Sequence, residues 1–376
     1  MSVLLTYPQA TLESQNGYWT AKEICQQPRI WREAESLVEK RRAELDTWLT
    51  PLLAQTNLRI ILTGAGTSAY VGEALAPHLS QQTGRIFEAI STTDIVSNAQ
   101  QYLIENIPTL LISYGRSGNS PESVAAVDLA NQVIDNCYHL VITCNPESSL
   151  ALSANGSTKA FSLFMPEGTL DQSFAMTSSF TSMLVSTLVI FSSQPEQLEK
   201  AAQWVENFLE NNVEALKEHA LLPTKRLVFL GAGGLQGIAR EAALKVLELT
   251  AGKVLSYSES PLGFRHGPKS LMNNETEVIF LSSSDPYTKQ YDKDLINELK
   301  RDAQGLSLTV LNKASFNQTN DIDDVWASLP YIFYCQIFAF FKSMQANITP
   351  DNPCPTGEVN RVVQGVTLYP LNTNAE

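Results

Sequence analysis

A short segment of the chain gathers several groups that could bind an anion. It runs from Ser113 to Ser123 (SYGRSGNSPES), follows an apolar run directly, and has Pro121 where a helix would begin. One serine would be enough to cap that helix, so capping alone is the alternative explanation. Four serines and an arginine at one helix start favour a phosphate cradle instead, because free backbone N–H groups, hydroxyls and a guanidinium all bind phosphate oxygens. We therefore predict that Arg116, Ser117 and Ser120 bind a phosphate.

A glycine-rich turn ends an earlier apolar run and offers one more hydroxyl. Its sequence, GAGTSA, begins at Gly64 and contains Ser68, which we expect to join the phosphate site. The turn also fits the GxGxxA pattern of dinucleotide-binding folds, and Glu88 stands about where a ribose-binding acid would be. Any tight strand-to-helix turn needs such glycines, however. A second GxG at Gly231 favours a duplicated sugar-phosphate fold over a nicotinamide site.

A second group of residues could carry out acid–base chemistry. Lys245 and Glu248 are three positions apart on an expected helix, so they share one face. The surrounding residues are apolar, although a surface ion pair is the commoner fate of such a pair. His266 follows in a loop, FRHGPK, which suits a proton-transferring imidazole better than a core histidine. These three residues are the catalytic candidates.

A repeated pattern of apolar runs would position these groups. The segment RIILTGAG, from Arg59, recurs as RLVFLGAG, from Arg226, and an amphipathic stretch follows each. Two more pairs of apolar runs match at the same offset of 167 residues, namely Thr109–Ser113 with Glu277–Ser282 and His139–Thr143 with Leu308–Leu311. Such runs between helical stretches predict parallel strands buried on both faces. We predict an α/β fold of two duplicated, doubly wound parallel-sheet domains, with ligands at the carboxyl ends of the strands.

The chain is long enough for more than one domain. At 376 residues it exceeds the size at which a single core stops growing. We predict an N-terminal helical segment (1–50), a first α/β domain (51–195), a charged linking helix (196–222), a second α/β domain (223–349) and a C-terminal tail over the active site (350–376). The most apolar stretch, Leu329 to Phe341, is too short to span a membrane and is expected to be a core helix.

Composition narrows the possible partners and location. The net charge of −13 argues against nucleic acid or an anionic membrane as a partner. Five scattered cysteines without a CxxC pair indicate neither a disulfide framework nor a zinc site. The first ten residues lack the features of a signal peptide. We expect a cytoplasmic protein without metal or cofactor, in which a phosphate is held by local groups.

Five segments together resemble the sugar isomerase (SIS) superfamily, duplicated as in the isomerase half of glucosamine-6-phosphate synthase. They are GAGTSA, SYGRSGNSPES, EAALKVLELTAGK, FRHGPKS and GEVNRVVQGV. The similarity runs from about Trp19 to Pro370. It is strongest to the branch named tagatose-6-phosphate ketose/aldose isomerase or galactosamine-6-phosphate deaminase, to which the last two segments are specific.

The resemblance implies roles for the candidate residues. Phosphate-binding positions of the family fall on Ser68, Ser117 and Ser120, and Arg116 stands where the synthase has glutamine. The proton-transferring glutamate falls on Glu248.

The family's neighbouring lysine falls on Lys245, and its ring-opening histidine on His266. In the family that histidine comes from the partner subunit, which implies a homodimer. Gln364 stands about where the synthase has an active-site lysine.

The implied reaction converts D-galactosamine 6-phosphate to D-tagatose 6-phosphate and ammonia. The chain begins Met1-Ser2, without a nucleophilic cysteine, so we do not expect it to take nitrogen from glutamine. Plain aldose–ketose isomerisation of a neutral hexose phosphate remains an alternative. A non-catalytic sugar-phosphate sensor is another, although it would not need Glu248 and His266 together.

Overall fold

The computed structural model describes residues 3–371. Within that range the strands are β1 (Val3–Leu4), β2 (Tyr7–Pro8), β3 (Arg59–Thr63), β4 (Phe87–Ala89), β5 (Thr109–Gly115), β6 (Cys137–Thr143), β7 (Ala160–Phe164), β8 (Arg226–Gly231), β9 (Leu255–Glu259), β10 (Thr276–Leu281) and β11 (Ser307–Leu311). The α-helices are α1 (Gln9–Ser14), α2 (Tyr18–Cys25), α3 (Gln27–Lys40), α4 (Arg42–Leu53), α5 (Thr67–Thr83), α6 (Thr92–Ser97), α7 (Ala99–Tyr102), α8 (Pro121–Val133), α9 (Ser149–Ser153), α10 (Ser178–Ser192), α11 (Pro195–Asn211), α12 (Val213–Ala220), α13 (Gly234–Leu249), α14 (Pro261–Phe264), α15 (Thr288–Asp302) and α16 (Asp324–Gln345). Single 3₁₀ turns cover Pro268–Leu271 and Lys313–Phe316.

The first half of the chain forms a parallel sheet with strand order β4-β3-β5-β6-β7. Its central strands β3 and β5 are almost completely buried, as their continuous apolar runs predict. Numbered along the chain, the order is 2-1-3-4-5, so its direction reverses between β3 and β5. In such sheets ligands bind beyond the carboxyl ends of the strands at this reversal. The turns that follow β3 and β5 are therefore neighbours at the expected ligand position.

The second half repeats the same arrangement with one strand fewer. Its sheet has the order β11-β10-β8-β9, and every neighbouring pair is parallel. Read from the β9 edge and numbered along the chain, this order is 2-1-3-4, which is the order of the first sheet without its last strand. The predicted duplication of a doubly wound parallel-sheet domain is thus confirmed.

Strand register tests the duplication residue by residue. Arg59 pairs with Thr109 in the first sheet, and Arg226 pairs with Thr276 in the second, so both pairs keep the offset of 167 residues. The third matched strand departs from that offset. Tyr114 pairs with Ile142, whereas the counterpart of Tyr114 pairs with Leu311. The offset of 167 residues would match Ile142 with Thr309, but the register matches it with Leu311, because the second half holds two more residues before this strand.

The predicted linking helix is two helices. Helices α11 and α12 meet at Asn212, whose φ of −122° is not helical. The asparagine amide of Asn317 donates to the Asn212 side chain over 2.8 Å. Asparagine has a low helix propensity, and the contact with Asn317 holds its side chain outside the helices, which accounts for the break.

The apolar stretch from Leu329 to Phe341 lies inside helix α16 and is buried throughout, so the predicted core helix is confirmed. Helix α16 packs against α13. Among residues 3–371, no helix combines the length and apolarity that crossing a membrane requires.

The described residues divide into two compact units. One holds the second sheet, with the chain up to Arg32, Asp171–Ser178 and Gln194–Thr356. The other holds the first sheet, with Glu33–Leu170, Ser179–Ser193 and the chain from Gly357 onward. The last part of the tail thus belongs to the unit that carries the predicted phosphate loop.

Candidate active site

The turn after β3 depends on two glycines. A Cβ on Gly64 would lie 2.6 Å from Ser68, so the strand and the start of α5 can approach this closely only with glycine there. Gly66 precedes the helix with a φ of +55°. The turn thereby places Ser68 in the first turn of α5, buried at the carboxyl edge of the sheet.

In the loop after β5 two carbonyl groups have partners, whereas several amides do not. Asn145 donates to the carbonyl of Ser117 over 3.1 Å, and the Leu150 amide donates to the carbonyl of Gly118 over 3.0 Å. Within residues 3–371, no acceptor is placed against the amides of Ser117, Gly118 or Ser120. Consecutive amides left open in a turn form a concave site for an anion. The geometry is therefore that of an anion cradle.

Ser120 stands at the N-cap of α8 but does not cap it. Its hydroxyl lies 2.6 Å from the hydroxyl of Ser123 and makes no bond to a helix amide. Capping alone consequently does not explain this serine. The side chain of Ser120 therefore leaves the partial positive charge of the helix start to another acceptor.

Arg116 is buried, with 6% of its surface exposed. Its guanidinium Nη2 donates to the carbonyl of Arg361 in the C-terminal tail over 2.7 Å. Further along, Leu371 packs on the core beneath α8. The tail therefore lies against the predicted phosphate loop, and exposed Gln364 is three residues beyond the Arg361 contact.

On α13, Lys245 contacts a second glutamate, Glu241, in addition to Glu248. Lys245 is fully buried, and its ammonium contacts the carboxylates of both Glu248 and Glu241, the latter over 3.4 Å. Glu241 is fully buried, whereas the side chain of Glu248 is 22% exposed. A buried lysine beside two carboxylates remains paired. Glu248 is consequently held by Lys245, and part of its side chain remains exposed.

Sequence reasoning did not single out Glu241. The signal was present, because an acid four residues before a lysine lies on the same helix face.

The His266 loop lies in the second half, with the histidine exposed at its tip. Four ion pairs connect the loop to helix α15: Arg265 with Asp294 and Glu298, and Lys269 with Glu298 and Asp302. The cations beside His266 are thus occupied by α15, which fixes the loop on both sides of the imidazole.

Replacing Glu298 with glutamine should loosen this loop. Glu298 is the shared partner of Arg265 and Lys269, so the variant weakens both attachments at once. Partly exposed ion pairs each stabilise by about 1 kcal/mol or less. We expect faster amide hydrogen exchange around His266, with little change in Tm.

The matched control is Asp321→Asn, which removes the exposed ion pair of Lys313 in the same half. It should leave exchange around His266 unchanged. Equal exchange in the Glu298→Gln and Asp321→Asn proteins would show that the ion pairs do not hold the loop.

The residue that would support a nicotinamide site is engaged elsewhere. Glu88 accepts two hydrogen bonds from the guanidinium of Arg59, one of them over 2.9 Å. It therefore has a structural partner within the first sheet. In the described part of the chain, no group of three or more histidine, cysteine, aspartate or glutamate side chains could hold a metal ion.

Known proteins resemble this chain over nearly its whole length. D-galactosamine-6-phosphate deaminase AgaS of Shewanella sp. (strain ANA-3) is 53% identical over 98% of this chain and 96% of its own. The Escherichia coli protein of that name is 47% identical over 94% of this chain and 96% of its own. The solved structure of tagatose-6-phosphate ketose/aldose isomerase from Escherichia coli matches with a TM-score of 0.88 and 44% identity, covering 97% of this chain and 99% of that one. The SIS domain matches residues 52–193 and 220–348. On the fold, the repeated strand register and these matches, the chain belongs to the SIS domain family.

Proposed function

We propose that this protein converts D-galactosamine 6-phosphate to D-tagatose 6-phosphate and ammonia. The relatives of that name support the reaction, since they match over nearly their full length. The observation that carries the proposal is the open amide cradle at Ser117, Gly118 and Ser120, which fits a phosphate. The proposal places the protein in the cytoplasm, in amino-sugar catabolism, as a homodimer.

Substrate binding begins at the phosphate. Hydroxyls of Ser68, Ser117 and Ser120, the open amides and the guanidinium of Arg116 bind its oxygens. Anchoring one end of the sugar makes the later steps intramolecular, which lowers the entropic part of the barrier. His266, contributed by the partner subunit in this proposal, assists opening of the hemiacetal ring.

Proton transfer by Glu248 then moves the double bond. Its carboxylate removes the proton from C2 of the open-chain aldehyde while O1 takes up a proton, which gives an enolamine. It then returns a proton to C1 while the amine nitrogen gives one up. The product is an imine at C2 and a hydroxymethyl group at C1. Water adds to the imine, and the C–N bond breaks to give the ketone and ammonia. Lys245 holds Glu248 in its orientation and stabilises negative charge that develops nearby.

Arg116 provides a direct test of the phosphate site. Losing a hydrogen bond to a charged group costs about 1.5–3 kcal/mol, so Arg116→Ala should raise KM for the sugar phosphate about tenfold or more. Arg116→Lys keeps the charge, so its KM should lie between those of the wild-type protein and the alanine variant. An unchanged KM in the alanine variant would remove Arg116 from the site.

A second candidate function is isomerisation of a neutral hexose phosphate, which the name of the Escherichia coli structure favours. One experiment separates the two. Purified protein is incubated with galactosamine 6-phosphate, glucosamine 6-phosphate and galactose 6-phosphate, and ammonia and ketose are measured. Ammonia and ketose in equal amounts from galactosamine 6-phosphate would support deamination. Ketose from galactose 6-phosphate, with no ammonia from either amino sugar, would assign the isomerase. Binding without either product would indicate a sensor.

A further inference from the structure

The duplication gives the phosphate loop a counterpart in the second half. The register of β5 and β10 keeps the 167-residue offset, so Ser283 and Ser284 occupy the places of Arg116 and Ser117. This counterpart loop also follows the strand at the reversal of its sheet and precedes a helix, α15. By topology alone it should be a second site for an anion.

A carboxylate of the protein already fills that position. One oxygen of Asp324 accepts from the amide of Ser284 over 2.6 Å and from its hydroxyl over 2.8 Å. The other oxygen accepts from the hydroxyl of Ser283. Asp292 accepts from the amide of Ser283 over 2.8 Å. Amides and hydroxyls of this loop therefore bind anionic oxygens, as a phosphate cradle does, but the oxygens belong to the chain.

The two halves differ in this respect. In the first half the amide of Ser117 is open within the described residues, whereas in the second half the amide of its counterpart Ser284 donates to Asp324. Ser283 is almost completely buried, and Asp292 is fully buried. Burial, together with Asp324 nearby, raises the pKa of Asp292 to about 6. Burial of Ser283 and the two carboxylates of Asp292 and Asp324 therefore both keep anions from solution out of the second loop.

We propose that the carboxylates of Asp324 and Asp292 are built-in anions that block a latent phosphate site at Ser283 and Ser284, and that neutralising both opens this site. In the intact protein each chain then binds phosphate only in its first half. The inference concerns binding in the second half and does not depend on which reaction the protein catalyses.

The test counts bound inorganic phosphate per chain by isothermal titration calorimetry at constant ionic strength. Wild-type protein should bind one phosphate, and Asp324→Ala combined with Asp292→Asn should bind two. The double change is needed because Asp292 alone would still occupy the amide of Ser283. Its extra site should persist when the first is disabled by Gly118→Ala.

Asp323→Ala is the matched control for Asp324. It removes the same charge from the same helix start, but Asp323 is exposed and makes no side-chain cap. This control should bind one phosphate. A folded double variant that still binds one phosphate would overturn the proposal. Two phosphates bound by wild-type protein would also overturn it, and that arm does not depend on any variant folding.

Discussion

Glu248→Gln should abolish ammonia release while the protein still binds sugar phosphate. Glutamine keeps the size of the side chain and an oxygen that accepts from Lys245, but it cannot take a proton from C2. A positioned general base contributes about 10²–10⁴-fold to the rate, so kcat should fall by about a thousandfold. The measurements are kcat from coupled ammonia detection and Kd from calorimetry with galactosamine 6-phosphate.

Glu241→Gln is the control for this prediction, because both variants remove one carboxylate from Lys245. Glu241 is fully buried and cannot reach a substrate, so its loss should lower Tm more than kcat. Unchanged turnover in Glu248→Gln would remove Glu248 from the mechanism. An equal loss of kcat in both variants would mean that the charge of the cluster, rather than a base at Glu248, is required.

Most of the fold could be predicted because its central strands are buried on both faces and leave long apolar runs in the sequence. The edge strands leave no such signal. Strand β4 has only three residues, and β9 alternates polar and apolar residues. Strands β4 and β9 nevertheless occupy the same place in the two sheets. Ile60 of β3 pairs with Phe87 of β4, and its counterpart Leu227 of β8 pairs with Ser256 of β9. A match of apolar runs at a fixed offset cannot find strands that are short or half exposed.

The candidate site could be predicted where its residues are close together in the sequence. Ser117 and Ser120 lie in one loop, and the spacing of Lys245 and Glu248 puts them on one helix face. Contacts between distant segments could not be predicted in this way. The bond from Arg116 to the tail spans 245 residues, and the bonds from the second loop to Asp324 span about 40. Spacing rules carry no information over such separations.

Gly118→Ala should disable the phosphate loop itself. Gly118 has a φ of +61°, which costs an alanine about 1 kcal/mol. The added Cβ would also lie 2.5 Å from the hydroxyl oxygen of Ser148. Ser148 cannot yield, because it is fully buried and caps helix α9 through a bond to Ala151. The loop must therefore move, and the open amides of Ser117 and Ser120 with it. We expect KM for galactosamine 6-phosphate to rise by about a hundredfold, the equivalent of nearly 3 kcal/mol of binding.

Gly156→Ala separates this effect from backbone strain. Gly156 also has a positive φ, +75°, but a Cβ there would meet nothing within 4 Å. Both variants should lose similar stability from the unfavourable φ, so a fall in Tm shared by the two measures the strain alone. Only Gly118→Ala should also change KM, because only there does the backbone have to move away from Ser148. If KM rose equally in both proteins, general destabilisation would explain the effect. If it rose in neither, the phosphate would have to bind away from the loop that follows β5.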